Sequence, residues 1–255
     1  MDRLDSYLVT HNLVSTRNKG QYEIEKGNVL VNGKVVTKAS FKVSDEDDVK
    51  VNNSFDYVSK GALKLLKAKE VFNIDFNNKT MLDIGSSTGG FSEVALRNGI
   101  KKVIAIDVGK NQFDNKLKQD KRVELHEETD IRNYCVDEKI DIITIDVSFI
   151  SVTKFIDKLK EINPDEIILL IKPQFECGKE IADKYKGVPL NKEIHGEVIN
   201  KIVSDFEKNN YNIQDLTFSP ITGGSGNIEY LACFTKDNEK KIIVNSVIDK
   251  AFKEL

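Results

Sequence analysis

Two groups of residues in this chain of 255 amino acids have the types and spacing to do chemistry. The first is the run Met81–Phe91, M-L-D-I-G-S-S-T-G-G-F. It reads as an apolar strand ending near Asp83, a turn with Gly85, Gly89 and Gly90, and a helix resuming through Ser92–Leu96. The spacing is not G-x-G-x-x-G, and without a Gly-Lys-Ser/Thr ending the loop is a poor triphosphate site. A second strand pattern, Lys102–Ile106, closes on Asp107 about twenty residues further on, where a ribose diol would be held. A glycine loop with a ribose acid suits S-adenosylmethionine as well as NAD. The second group is Lys64, Asp146, Lys172 and Glu229. Asp146 ends I-I-T-I, Lys172 ends I-I-L-L-I directly before Pro173, Glu229 follows G-N-I at the start of the last strand, and Lys64 lies on a helix within Tyr57–Leu65. Ligands of an open α/β sheet bind outside the carboxyl ends of its strands, so these two amines and two carboxylates fall at the rim where a cofactor lies.

The elements that must position these groups alternate strand and helix after residue 57. Strands are predicted at Thr80–Ile84, Lys102–Ile106, Val123–His126, Ile140–Ile145, Glu166–Ile171, Tyr211–Phe218 and Tyr230–Thr235. Alternation of this kind implies a mostly parallel, doubly wound sheet. Only the glycine-rich Gly223–Asn227 separates the last two strands, which predicts an antiparallel hairpin at one edge. Seven strands with a reversed last strand is the Rossmann-like sheet of class I methyltransferases, whereas NAD domains end in parallel strands. Residues 1–52 form a separate small α+β unit. Leu4–Val9 has apolar residues at helical spacing, Ser15 and Thr16 cap a second helix, and Asn32-Gly33 between two apolar runs signals a hairpin. A seam falls over residues 44–56, and the larger domain runs from 57 to 255.

Composition is that of a globular chain, with 40% hydrophobic residues, 31% charged residues and a net charge of −3. No apolar run approaches the length needed to span a bilayer, and the start lacks a basic segment followed by an apolar one, so a cytoplasmic location is expected. Cys135, Cys177 and Cys233 show no C-x-x-C spacing, which argues against a zinc site or a disulfide framework and predicts buried thiols; no metal is expected. The sequence leaves monomer and dimer both open.

Several motifs together carry a family resemblance. R-L-D at residues 3–5, S-T-R at 15–17 and V-L-V-N-G-K-V-V at 29–36 resemble the RNA-binding domain named after ribosomal protein S-four. The resemblance implies RNA contacts from Arg3, Arg17, Lys19 and Lys34, with Lys60 a further one. S-K-G-A-L-K-L, L-D-I-G-S-S-T-G-G-F, I-D-V-S-F-I-S, L-L-I-K-P-Q-F-E and G-N-I-E-Y-L resemble the hemolysin-labelled TlyA family, which joins that domain to an FtsJ-like 2′-O-ribose methyltransferase. The match covers residues 2 to 236. It implies methylation of ribosomal RNA from S-adenosylmethionine, at cytidines of the 16S or 23S molecule or both, with Lys64, Asp146, Lys172 and Glu229 as the catalytic tetrad.

A ribose 2′-hydroxyl is a poor nucleophile and must be oriented and deprotonated. Lysine can take that proton only when neutral, against an ordinary pKa of about 10.4. Desolvation and a second cation lower it and carboxylates raise it. Lys172 is therefore assigned as proton acceptor or orienting group, Asp146 and Glu229 as its positioners, and Lys64 as modulator and oxygen contact. For the cofactor, Asp83 is expected as a contact, Gly85, Ser86, Ser87 and Gly89 under the methionine portion, Asp107 at the ribose, Asp130 at the adenine amine, and Asp146 at the methionine amine. Asp130 could equally cap the short helix that follows. His11, His126 and His195 read as structural, Gly178–Gly187 as a mobile loop, and the apolar residues after Lys236 as a docking helix. Two other functions compete: an RNA-binding assembly factor without catalysis, and a membrane-active hemolysin.

Overall fold

The computed structural model describes residues 2–51, 57–237 and 240–255. The chain divides into two compact units, residues 1–60 and 61–255. Positions 52–56 of the expected seam lie outside the described residues, and Tyr57–Lys60, expected to open the catalytic-domain helix, group with the small unit.

The small unit comprises β1 (Asp2–Arg3), α1 (Leu4–Thr10), α2 (Arg17–Glu25), β2 (Val29–Val31), β3 (Lys34–Val35), β4 (Lys42–Val43) and β5 (Val49–Val51). The Thr16 hydroxyl accepts from the Lys19 N–H and so caps α2. Asn32 and Gly33 take φ of 51° and 76°, the left-handed pair of a tight hairpin turn between β2 and β3. β5 completes that sheet on the other side of β2, while β1 and β4, absent from the sequence expectation, form a separate two-stranded ladder. The core is Leu4, Tyr7, Leu8, Val14, Ile24, Val29, Val31 and Val43.

The large unit comprises α3 (Gly61–Phe72), β6 (Thr80–Ile84), α4 (Gly90–Arg97), β7 (Lys102–Ile106), α5 (Asn115–Lys118), β8 (Val123–His126), β9 (Ile142–Ile145), α6 (Ile156–Ile162), β10 (Glu166–Ile171), α7 (Pro173–Glu176), α8 (Lys179–Lys184), α9 (Lys192–Glu207), β11 (Asn212–Phe218), β12 (Tyr230–Thr235) and α10 (Val244–Glu254). The sheet order is β11-β12-β10-β9-β6-β7-β8. The reversed strand is β12, which lies between β10 and β11 and runs antiparallel to both, so β11 rather than β12 forms the edge. Strands β6, β9 and β10 are buried almost throughout because helices cover both faces, which is why their sequences read as unbroken apolar runs. Each fully buried Ile, Leu or Phe contributes roughly 1.5–3 kcal/mol.

Helix α9 buries His195, Val198, Ile199, Ile202 and Phe206, a one-face pattern against the sheet. The expected tail helix is α10, docked through Ile248 and Ala251. The segment Gly178–Gly187, expected as a loop, instead contains α8 and its C-terminal turn. It is tied down where Asn227 donates to the Gly187 carbonyl and where His195 bonds the Pro189 carbonyl at 2.6 Å and the Tyr230 hydroxyl at 2.8 Å. Of the three cysteines only Cys233 is buried; Cys135 is exposed and Cys177 half-buried, because their segments lie outside the strands.

Candidate active site

Strand order brings the carboxyl ends of β6, β7, β9 and β10 to one edge of the sheet. At the end of β6 the chain turns through Gly85, with φ 81°, and Ser87, with φ 46°, before Gly89 (φ 89°) leads into α4. A Cβ on Gly85 would lie 2.4 Å from the Asp146 carbonyl oxygen, and one on Gly89 would lie 2.6 Å from Leu117 Cδ1. Glycine is required at both positions by conformation and by space. The loop is held open by Asp107, whose carboxylate accepts from the Ser87 N–H at 2.8 Å and the Gly109 N–H at 2.7 Å.

The result is a cleft of about 530 Å³ floored by Ile84, Ile106 and Ile131 and edged by Asp107, Asp130 and Asp146. An apolar slot with an acid at each end and a glycine-lined wall fits the adenosine and methionine parts of S-adenosylmethionine. The buried Ser86 hydroxyl, with no hydrogen-bond partner among the described residues, adds an unused polar group in the glycine loop.

One expected cofactor contact, Asp83, lies away from the cleft, and a second, Asp130, is partly engaged elsewhere. Asp83 is fully buried, and its oxygens accept from Ser92 Oγ at 2.6 Å and Thr144 Oγ1 at 2.8 Å. It braces β6, α4 and β9 from beneath and does not line the cleft. Asp130 reaches the cleft, but it also caps the turn Ile131–Asn133 and pairs with the Arg132 guanidinium, so much of its acceptor capacity is used.

Burial pushes the Asp83 carboxyl up to about 6 from 3.8, against the opposing hydrogen bonds of Ser92 and Thr144 and helped by the Asp146 charge. A raised carboxylate pKa stabilises the fold fully below the unfolded value, and this is lost as pH rises through the folded value. Stability should therefore fall by about 2 kcal/mol between pH 4 and pH 6, and by about 3 kcal/mol over the full titration, from this group alone. The isosteric Asp83→Asn should lack that decline, which urea unfolding of both proteins at pH 4, 5, 6 and 7 would register; parallel profiles would rule the assignment out.

The tetrad residues converge beside the cleft. Lys64 Nζ from α3 is 2.7 Å from Glu229 Oε2 and 3.8 Å from Asp146 Oδ2, and Lys172 Nζ is 2.6 Å from Asp146 Oδ1. Lys172 also donates to Ser148 Oγ at 3.0 Å, and Gln174 Nε2 donates to Glu229 Oε1 at 3.3 Å. Lys64, Lys172 and Glu229 are buried, so the charges are tolerated only because two cations and two anions alternate. Burial works to lower the Lys64 pKa, but Asp146 and Glu229 outweigh it and the ammonium is held above its ordinary value. Lys64 is thus favoured in its charged form. A second pocket of about 330 Å³ lies over these four groups and shares Gly85, Ser87, Asp146 and Ser148 with the cofactor cleft.

Residues not singled out in the sequence also build this site. Phe149, 90% exposed and held at φ 65°, packs its ring 4.9 Å from Phe175 on the rim. A bulky residue in the left-handed region stores about 1–3 kcal/mol of strain, a feature concentrated at functional loops. Both phenylalanines lie in quoted motifs, I-D-V-S-F-I-S and K-P-Q-F-E, but nothing in their spacing distinguishes a rim aromatic from a core one.

In the small unit, Arg3 and Arg17 do not stand free as RNA contacts. Both donate to the fully buried Asp5 at 3.0 Å, and Gln21 donates to it at 2.9 Å. The Arg3 bond first, then those of Gln21 and Arg17, hold the Asp5 carboxyl far below the usual carboxylate range. The two guanidiniums remain partly exposed, at 41% and 55%. Lys19 donates to the Tyr57 carbonyl, Lys60 lies 4.6 Å from the Tyr22 ring centroid, and Lys34 is exposed on β3.

A mixed seven-stranded sheet with β12 inserted in reverse, a glycine turn after its central strand and an acid after the next define a class I methyltransferase, whose methyl donor is S-adenosylmethionine. A family model for FtsJ-like methyltransferases matches residues 57–236, and one for the S4 domain matches residues 2–49. The 23S rRNA (cytidine-2′-O)-methyltransferase TlyA of Campylobacter jejuni is 37% identical over 91% of this chain and 98% of its own. The 16S/23S rRNA (cytidine-2′-O)-methyltransferase TlyA of Mycobacterium tuberculosis is 30% identical over 97% and 94%. A solved structure from Streptococcus thermophilus, described as a candidate hemolysin, superposes with a TM-score of 0.77 at 35% identity over 99% of this chain and 96% of that one. The chain belongs to the TlyA family, an RNA-binding domain of the ribosomal S4 type joined to an FtsJ-like methyltransferase.

Proposed function

We propose that this enzyme methylates the 2′-hydroxyl of a cytidine ribose in ribosomal RNA, of the 16S or 23S molecule or both. The observation that carries the reading is the convergence of Lys64, Asp146, Lys172 and Glu229 on one pocket adjoining the cofactor cleft. When bound, S-adenosylmethionine supplies an electrophilic methyl group. Gly85, Ser86, Ser87 and Gly89 would hold its methionine part, Asp107 the ribose diol, Asp130 the adenine amine, and Asp146 the methionine ammonium.

Lys172 orients the 2′-hydroxyl and takes its proton. A neutral amine has two hydrogens and one lone pair; the hydrogens are directed to Asp146 Oδ1 and Ser148 Oγ, and the lone pair is left for the hydroxyl. Lys64, held charged, neutralises Asp146 and Glu229 and contacts the 2′-oxygen as negative charge develops there. Glu229, gripped by Lys64 and Gln174, keeps that cation in place.

The small unit is assigned to RNA through Arg3, Arg17, Lys19, Lys34 and Lys60, with a functional division between residues 1–52 and 57–255. Such contacts would be to phosphates and ribose, because the base edges of A-form RNA lie out of reach. The intact tetrad disfavours a non-catalytic assembly factor. For a membrane-active hemolysin, no helix among the described residues is long and apolar enough to cross a bilayer.

The test is transfer of labelled methyl groups to ribosomal subunits from cells lacking the gene, with ribose methyls mapped. One new 2′-O-methylcytidine or a small number is the expected result; incorporation into bases, or none, would refute it.

A further inference from the structure

We propose that Glu176 is a positioning residue for methyl transfer: its carboxylate fixes the segment Asp146–Ser151 so that Asp146 and Ser148 meet the Lys172 side chain. The inference rests on the reading of the tetrad pocket given above. Glu176 closes α7, four residues after Lys172, yet its hydrogen bonds go to a different part of the chain. Ser151 Oγ donates to Glu176 Oε2 at 2.7 Å and the Val152 N–H donates to Oε1 at 2.8 Å. The carboxylate therefore serves the first amide of the single helical turn Val152–Phe155, alongside the Ser151 hydroxyl that caps the same turn at Thr153.

This anchor matters because of what lies between it and the sheet. Strand β9 ends at Ile145, where the Asp146 N–H donates to the Ile84 carbonyl at 3.0 Å, and only residues 147–151 separate that bond from the Glu176 clamp. At its start is Asp146 and within it Ser148, both of which accept from Lys172 Nζ, and Phe149 in its left-handed conformation. The same span lines the cofactor cleft through Val147, Ser148, Phe149 and Ile150. One end is held by the strand ladder and the other by Glu176, which also shares α7 with Gln174, the partner of Glu229. The residues of K-P-Q-F-E thus divide the work: Lys172 reaches the β9 loop, Gln174 reaches Glu229, and Glu176 fixes the far end of that loop. Two short charge-assisted bonds in a half-buried setting make a stiff link. Burial raises the Glu176 carboxyl against these two donors.

The experiment compares full-length wild type, E176A and E176Q in single-turnover methyl transfer to undermethylated ribosomal subunits, with hydrogen exchange of residues 147–152 read on the same proteins. An amide at 176 can accept from the Val152 N–H and donate to Ser151 Oγ, so E176Q should retain kcat within about 3-fold of wild type. E176A should lose about 10- to 100-fold in kcat with KM for RNA changed by less than about 3-fold, the scale of loss expected from a displacement of about 1 Å at a reacting group. Its amides 147–152 should exchange at least about 10-fold faster, while those of β6 and β10 stay protected. Ser151→Ala, which removes one of the two donors, should lower kcat by a smaller factor and should not add to E176A. Wild-type kcat in E176A, unchanged exchange, or an E176Q protein as impaired as E176A would each overturn the inference. A wild-type protein with no transfer to rRNA would instead overturn the functional reading, and the exchange measurement would still decide the clamp.

Discussion

Lys172→Ala should lower the single-turnover rate of methyl transfer by about 10²–10⁴, the usual contribution of a positioned general base, if Lys172 plays the role proposed for it. Affinity for S-adenosylmethionine should stay within about 3-fold, because Lys172 lines the tetrad pocket and not the cleft beneath the glycine loop. The size of the effect follows from the geometry: among the described residues lining this pocket, Lys172 is the amine with acceptors at 2.6 Å (Asp146 Oδ1) and 3.0 Å (Ser148 Oγ). Lys64 is a poor substitute, since the carboxylates of Asp146 and Glu229 favour its charged form despite its burial. The deletion also leaves Asp146 with Lys64 alone, at 3.8 Å, so some loss of stability accompanies it. Calorimetric titration with S-adenosylmethionine and quenched-flow transfer on the same preparation separate the two. A mutant that binds the donor normally and methylates at the wild-type rate would remove Lys172 from the mechanism.

The second large effect is expected from one methyl group. Gly85→Ala places a Cβ 2.4 Å from the Asp146 carbonyl oxygen and 2.9 Å from its carbon, on a residue whose φ is 81°. Neither side can give way cheaply: the Gly85 N–H is bonded to the Ile106 carbonyl at 2.9 Å and the Asp146 N–H to the Ile84 carbonyl at 3.0 Å. Left-handed backbone on an alanine alone costs about 1–2 kcal/mol. Relieving the clash must also move Asp146 away from Lys172. Affinity for S-adenosylmethionine should fall at least about 100-fold and Tm by about 5 °C or more. Gly224→Ala, at a glycine with nothing within 4 Å of the added carbon, should leave Tm unchanged. Donor binding by Gly85→Ala at wild-type affinity would contradict the packing described here.

The parallel strands were legible because burial on both faces turns each into an apolar run, and the hairpin of the small unit because Asn32 and Gly33 adopt conformations few other residues accept. Asp83 was misplaced for a corresponding reason. A carboxylate at the end of an apolar strand looks the same in sequence whether it faces a ligand or a serine and a threonine from neighbouring elements. The helical turns of α7 and α8 were missed because they are too short for periodicity, and the insertion of β12 between β10 and β11 because strand order leaves no local trace.

What the sequence by itself determined about this protein is the inventory: glycines where the backbone must turn left-handed, apolar runs of strand length, and two lysines with two acids at strand and helix positions. These are local properties, set by the conformational range and hydrophobicity of each residue. Which of them meet was decided only by the tertiary structure. Lys64 and Glu229, 165 positions apart, lie 2.7 Å from one another because sheet order and helix crossings set their neighbours. Buried charges at that distance are stable only when every partner arrives together, a condition of the whole fold that no single segment records.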